Sequence, residues 1–223
     1  MRRVRFCRFT LRTTDVAAAR AFYDAVLGAH AEDLAALPAA AIARGARPHW
    51  LGQIAVDDVD AMAARFIAHG ATRLGPPGEV ATLRDPGGAV VGLTARGRAM
   101  GSRVIWHQRH TATPARDAAI HGELFGWRVG AAIALGEHGV HLPFAWGDGG
   151  VVVGTIADIT DRPHVHPQWL FYFGVPDLDV ALAAVRAGGG SVFGPWTIPD
   201  GARVAVCDDP QGAAFGLMER AAG

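Results

Sequence analysis

Histidines 107, 110 and 121 are the side chains of this chain best suited to proton transfer or metal binding. If the first of these segments is a strand packed beside a following helix, the three come near one another. Alternation along that strand turns Trp106, Gln108 and His110 to one face, and His107 and Arg109 to the other, toward the helix. His110 is the candidate acid/base residue, because imidazole changes charge near neutral pH. The plainer reading of His107 and His121 makes them hydrogen-bonded partners between helix and sheet. Histidines without carboxylates or cysteines at metal spacing are common in ordinary structure. His164 and His166 lie between Pro163 and Pro167; two residues apart, they share a metal only on an extended strand, and no third ligand is evident. A solvated loop is expected there. Cys7 and Cys207 are too few for a zinc ribbon and fit a reducing compartment. Cys7 adjoins Arg8, but on a strand the two point to opposite faces, so packing is the expected role of both cysteines.

Composition narrows the chemistry further. The 223 residues suit one large domain or two of about 110 residues. Basic and acidic residues balance at 21 each, with no long basic run, which argues against nucleic acid as a partner. All the basic residues are arginine, so lysine Schiff bases and lysine-dependent phosphate loops are excluded. No apolar run approaches the roughly 20 residues of a membrane span. Met1-Arg2-Arg3-Val4-Arg5 is basic, but no apolar stretch of signal-peptide type follows, and a cytoplasmic protein is expected.

An internal repeat sets the elements that position these residues. Val56, Asp58 and Asp60 recur as Val175, Asp177 and Asp179, an offset of 119 (175 − 56). Ala64, Gly70 and Gly75-Pro76 recur as Ala183, Gly189 and Gly194-Pro195 at the same offset. After a five-residue insertion, Asp85-Pro86-x-Gly88-Ala89-x-x-Gly92-Leu93 recurs as Asp209-Pro210-x-Gly212-Ala213-x-x-Gly216-Leu217, at 124 (209 − 85). A fainter copy at 98 sets Asp15 to Tyr23, followed by Leu27-Gly28, against Thr113 to His121, followed by Phe125-Gly126. Each quarter opens with an alternating strand, as in Phe9 and Leu11 against Arg8, Thr10 and Arg12. A helix follows, capped by Asp15 or Asp58. Alanine-rich runs at Asp60–Ala68 and Asp179–Ala187 favour helix, and Gly70 and Gly188-Gly189-Gly190 stop them. Short strands at Val80–Leu83, Ala89–Thr94, Arg203–Cys207 and Ala213–Met218 close the units, and a boundary is expected in Ala95–Ser102.

On this scheme Trp106, Gln108, His110, Trp146, Tyr172, Trp196 and Met218 are the ligand-binding candidates, with Phe193 beside them. They would make an aromatic-walled cavity for a flat or apolar ligand. Ordinary core packing explains the same aromatics as well. Arg8, Thr10, Arg12 and Gln53 form a cationic wall in the first half, suited to a carboxylate or phosphate or, as favoured here, to solvent.

The motif Asp15 … Phe22-Tyr23 … Leu27-Gly28, followed by Asp85-Pro86-x-Gly88 … Leu93, resembles the vicinal-oxygen-chelate superfamily. That superfamily takes in glyoxalases, bleomycin-resistance proteins and dioxygenases. Phe125-Gly126-Trp127 and Asp209 to Gly216 are similar to its bacterial two-domain branch, and the resemblance spans nearly the whole chain. It implies an α+β fold of tandem βαβββ modules paired into two half-barrel domains, 1–97 and 103–223. The first module is truncated, because only 21 residues (50 − 28 − 1) separate Gly28 from Trp50. Enzymes of the superfamily hold a divalent metal through His, Gln or Glu on first and last strands. The resemblance maps those positions onto Arg8, Gln53 and Gly92, and onto Trp106, Tyr172 and Gly216. Only Gln53 offers a metal an ordinary ligand, so no metal and no other cofactor is expected. The expectation is a monomer or homodimer that binds a small molecule in its second domain. A lyase, isomerase or dioxygenase working through His110 or a relocated metal is the alternative, and a subunit with a vestigial cavity a weaker one.

Overall fold

A computed structural model describes residues 5–28, 32–95, 97, 102–147 and 150–220. The first half carries β1 (Phe6–Thr13), α1 (Val16–Leu27), β2 (Asp33–Ala36), α2 (Ala39–Ala43), β3 (His49–Ala55), α3 (Val59–Ala68), β4 (Thr72–Arg73), β5 (Val80–Arg84) and β6 (Val90–Thr94). The second half carries β7 (Val104–Thr111), α4 (Pro114–Phe125), β8 (Trp127–Val129), β9 (Ile133–Ala134), β10 (Val140–Trp146) and β11 (Val152–Asp158). It ends with β12 (Gln168–Gly174), α5 (Leu178–Ala187), β13 (Ser191–Thr197), β14 (Arg203–Asp208) and β15 (Ala214–Glu219). The strands form two sheets, in the orders β2-β1-β3-β6-β5-β4 and β13-β14-β15-β12-β7-β11-β10-β8, with β9 on β10. The fold is therefore α+β. Among the described residues no helix is long and apolar enough to cross a membrane.

Local chemistry accounts for the element boundaries. Asp15, Asp58 and Asp177 each accept a hydrogen bond at 2.9 Å from the backbone N–H three residues on, the geometry of an N-cap. Helix α4 starts instead with Pro114 at its first position and stops at Gly126, whose φ of 69° suits the left-handed turn that follows a helix. The short stretch after α1 holds one four-residue strand, β2, parallel to β1, and the five-residue helix α2. Asp85 and Asp209 fold the repeated Asp-Pro-x-Gly segments into turns by accepting from the N–H groups of Ala89 and Ala213, each at 2.9 Å.

The chain packs as two compact units, each drawing on both halves of the sequence. The first takes the described residues of Met1–Arg8, Leu51–Arg98 and His107–Trp169; the second takes those of Phe9–Trp50, Ala99–Trp106 and Leu170–Gly223. In the second unit α1 packs on α5, and Phe9 meets Phe171 edge-on at 4.9 Å. A buried polar chain runs through it: Trp50 Nε1 donates to the Tyr23 hydroxyl at 3.0 Å, which donates to Asp209 Oδ2 at 3.2 Å. In the first unit α3 packs on α4, and Phe66 meets Phe125 at 5.4 Å. The repeat places Trp169, Asp85 and His121 where the second unit has Trp50, Asp209 and Tyr23. His121 instead donates from Nδ1 to the Asp117 carbonyl at 2.8 Å and stacks on Trp127 at 4.4 Å. Asp85 is answered by Arg109, which stands at the repeat position of Leu11 (109 − 98). Its guanidinium bridges Asp85 and Asp117, each at 2.8 Å, with all three side chains buried.

Candidate functional site

In the second unit Trp106, Tyr172, Trp196 and Met218 gather into one apolar cluster with Leu170, Ala202 and Val204. β12 and β15 run parallel with Tyr172 opposite Gly216 and Gly174 opposite Met218, while β14 sets Val204 against Met218. Tyr172 and Met218 are buried, whereas Trp106 and Trp196 are only partly so and Phe193 is 53% exposed. The phenol of Tyr172 is held neutral: burial first, then the charge of nearby Cys207, pushes its pKa well above the ordinary value. Each of the two cysteines is buried, and burial pushes the thiols up, that of Cys207 to about 12, which suits packing rather than nucleophilic attack.

The remaining candidates lie in the first unit. Across β10, β11 and β7 the register sets His141 opposite Ala157 and Ala157 opposite His110. The next row sets Pro143 opposite Thr155 and Thr155 opposite Gln108. Residues in one row share a face, so His110, Gln108, Thr155 and His141 look out on the same side of the sheet. His141 Nδ1 lies 3.3 Å from Gln108 Nε2 and 3.2 Å from Thr155 Oγ1, and its Nε2 lies 3.1 Å from the His138 carbonyl. That arrangement assigns the proton of His141 to Nε2, which donates to the carbonyl, and makes Nδ1 the acceptor. His110 Nδ1 is buried and has no hydrogen-bond partner among the described residues. Burial lowers the pKa of His110 to about 3, and His141, Arg109, Arg162 and His166 push the same way.

Trp146 meets Phe6 at 5.7 Å, Phe125 at 6.3 Å and Trp127 at 5.4 Å, all within the first unit. The seven expected ligand residues thus divide four and three between the units, and His110 sits with Gln108 rather than in the aromatic cluster. The sequence reading passed over His141, Thr155 and Arg162. The period-2 pattern of the strand holding His141 carried the signal, but no motif pointed to it. His107 lies edge-on to Phe6 at 4.9 Å, on the helix-facing side with the buried Arg109, as alternation implied. His164 and His166 are exposed.

No family model matches the chain. Among curated proteins it is 31% identical over 247 residues to "Putative glyoxylase CFP32" of Mycobacterium tuberculosis, covering 95% of this chain and 93% of that protein. It is also 29% identical, over 76% of its length and 65% of the other protein, to the anthracycline biosynthesis protein DnrV of Streptomyces peucetius. The chain belongs to the vicinal-oxygen-chelate superfamily. Two solved vicinal-oxygen-chelate structures show the same fold. The 2,3-dioxygenase LapB from a Pseudomonas species matches at a TM-score of 0.64 and 14% identity, covering 98% of this chain and 92% of that one. Homoprotocatechuate 2,3-dioxygenase from Brevibacterium fuscum matches at 0.65 and 17%, covering 96% and 71%.

Apart from Gln53, the superfamily's metal positions carry side chains of the wrong chemistry. Gln53 pairs with Gly92 on β3 and β6, and a Cβ at Gly92 would come within 2.9 Å of Gln53 Cγ. A Cβ at Gly216 would collide with the Tyr172 ring, so that ring fills the space a vicinal-oxygen-chelate glutamate needs. The guanidinium cation of Arg8, the indole of Trp106 and the neutral phenol of Tyr172 complete the set. These residues do not fit a divalent ion. Among the described residues no group of three or more His, Cys, Asp or Glu is disposed to hold one elsewhere.

Proposed function

We propose that this protein binds a small aromatic or apolar molecule against Trp106, Tyr172, Trp196 and Met218, and that it does so without a metal. One observation carries the reading: the Tyr172 ring occupies the room above Gly216 where a glutamate ligand would reach. Partly buried Trp106 and Trp196 keep indole faces at the edge of that cluster, and flat apolar ligands stack well on such faces. Acid/base catalysis by His110 is less well supported. A general base works best with a pKa near the operating pH, whereas that of His110 is near 3.

The test combines elemental analysis of the dialysed protein with titration by the neutral fluorophore N-phenyl-1-naphthylamine. Saturable binding, weakened at least tenfold by Trp106→Ala, with no retained metal, is the expected result. One ion per chain surviving dialysis, or binding indifferent to Trp106→Ala, would sink the proposal.

A further inference from the structure

From the row of residues that β7, β10 and β11 set side by side in the first unit, we infer that His110 and Arg162, over a floor braced by Gln108 and His141, form a binding site for a carboxylate. The site is independent of the aromatic cluster and uses none of its residues.

The floor of the site is a cross-strand row. Ala157 lies between His110 and His141 in one cross-strand row, so two imidazoles flank a side chain of one carbon. The neighbouring row supplies Gln108 and Thr155 on the same face. Hydrogen bonds to Gln108, Thr155 and the His138 carbonyl hold His141 in place. His110 has no such anchor: its Nδ1 is buried and unpartnered, and a buried polar atom left so costs stability unless a ligand satisfies it.

Charge decides what that ligand is. Arg162 acts electrostatically on both His110 and His141. Its guanidinium lies along the Gly139 backbone, close enough that a Cβ there would stand 3.2 Å from Nη2. Burial first, and after it His141, Arg109, Arg162 and His166, oppose positive charge on the His110 ring. A cation is therefore disfavoured at this place, and the Arg162 guanidinium is the charge that favours an anion there. The planar fork of a guanidinium and a ring N–H match the two oxygens of a carboxylate, and a charge-assisted hydrogen bond is stronger than one between neutral groups. A carboxylate would also satisfy Nδ1 of His110 as acceptor.

The experiment is a titration of the full chain with sodium benzoate and with its neutral isostere benzamide, followed through the ring nitrogens of histidine by NMR. Benzoate is expected to bind at least tenfold more tightly than benzamide, and to shift the signals of His110 and His141. Arg162→Gln and His110→Phe should each weaken benzoate tenfold or more and leave benzamide unaffected. Arg73→Gln, which removes a cation paired with Asp60 on the surface, should leave both affinities unchanged. Four outcomes would overturn the site: equal affinities for the two probes, no binding of benzoate below about 10 mM, shifts confined to the indole signals of Trp106 and Trp196, or a zinc ion retained by His110 and His141. The third would leave the aromatic cluster standing as the sole ligand site, and so separates this inference from the proposed function.

Discussion

Arg109 shows what one buried charge asks of its neighbours. It occupies the repeat position of Leu11, yet both side chains are fully buried. An arginine there is tolerated because Asp85 and Asp117 stand 2.8 Å from the same guanidinium nitrogen. Removing the cation strands two carboxylates out of water, so Arg109→Leu should lower unfolding free energy by about 3–5 kcal/mol near pH 7.5. The loss should shrink at pH 5, as urea melts at the two pH values would show. Burial first, with Asp117 adding to it, already raises Asp85 to about 6, against the pull of Arg109. Without Arg109 it rises further, and at pH 5 the carboxyl is neutral. A cost that stayed the same at both pH values would contradict this account. Alternation alone turned Arg109 toward the helix in the sequence. Its partners were not legible: Asp85, 24 residues before it, stands in a motif that reads as turn chemistry, and Asp117, eight residues after it (117 − 109), belongs to no motif. His141 was missed for a related reason: its importance comes from the strand beside it, and cross-strand neighbours are set by register rather than by sequence spacing.

At the level of elements, the parallel pair β12 and β15 shows how a glycine and an aromatic ring depend on each other. Gly216 lies opposite Tyr172, and the ring takes the volume a side chain at 216 would need. Gly216→Ala should therefore destabilise by roughly 1–3 kcal/mol. Adding Tyr172→Ala should make the double variant more stable than the sum of the single losses implies, because the clash disappears with the ring. Additive losses in denaturant melts would refute the contact. The caps, the helices and the last two strands of each repeat were legible, since aspartate caps, glycine stops and Asp-Pro-x-Gly turns are local chemistry. Val59–Ala68 and Leu178–Ala187 begin one residue before the expected runs, directly after their capping aspartates. Strand β13 was not foreseen: Gly194-Pro195 interrupts its alternation, and its register with β14 shifts between Phe193 and Trp196. Pairing between segments was beyond the repeat, which says which segments are alike and not which copy each one packs against.

For the whole molecule, the balance of buried titratable groups predicts a fold that weakens in acid. Burial depresses His49, His110, His121 and His141, with His110 and His121 near 3. A depressed histidine contributes stability above its unfolded value, near 6.5, and loses it as the pH falls toward the folded value. Asp85 and Asp209 are raised by burial and work in the opposite sense, most stabilising below 3.8 and losing that contribution as pH rises, for Asp85 through about 6. Four groups oppose two, so the urea midpoint should drop between pH 7 and pH 5. His121→Phe should flatten that decline, and an unchanged slope would show that His121 takes up no proton on unfolding. The interleaved units bear on something else, the order of events during synthesis. In the second unit Thr13 bonds to Gln211 and Tyr23 to Asp209, across 198 and 186 residues of chain. The apolar face of α1, with Phe22, Tyr23, Val26 and Leu27, leaves the ribosome long before the segment that buries it has been translated. The first unit has all its segments by Trp169, so the middle of the nascent chain is free to close while the first fifty residues still wait for the last fifty.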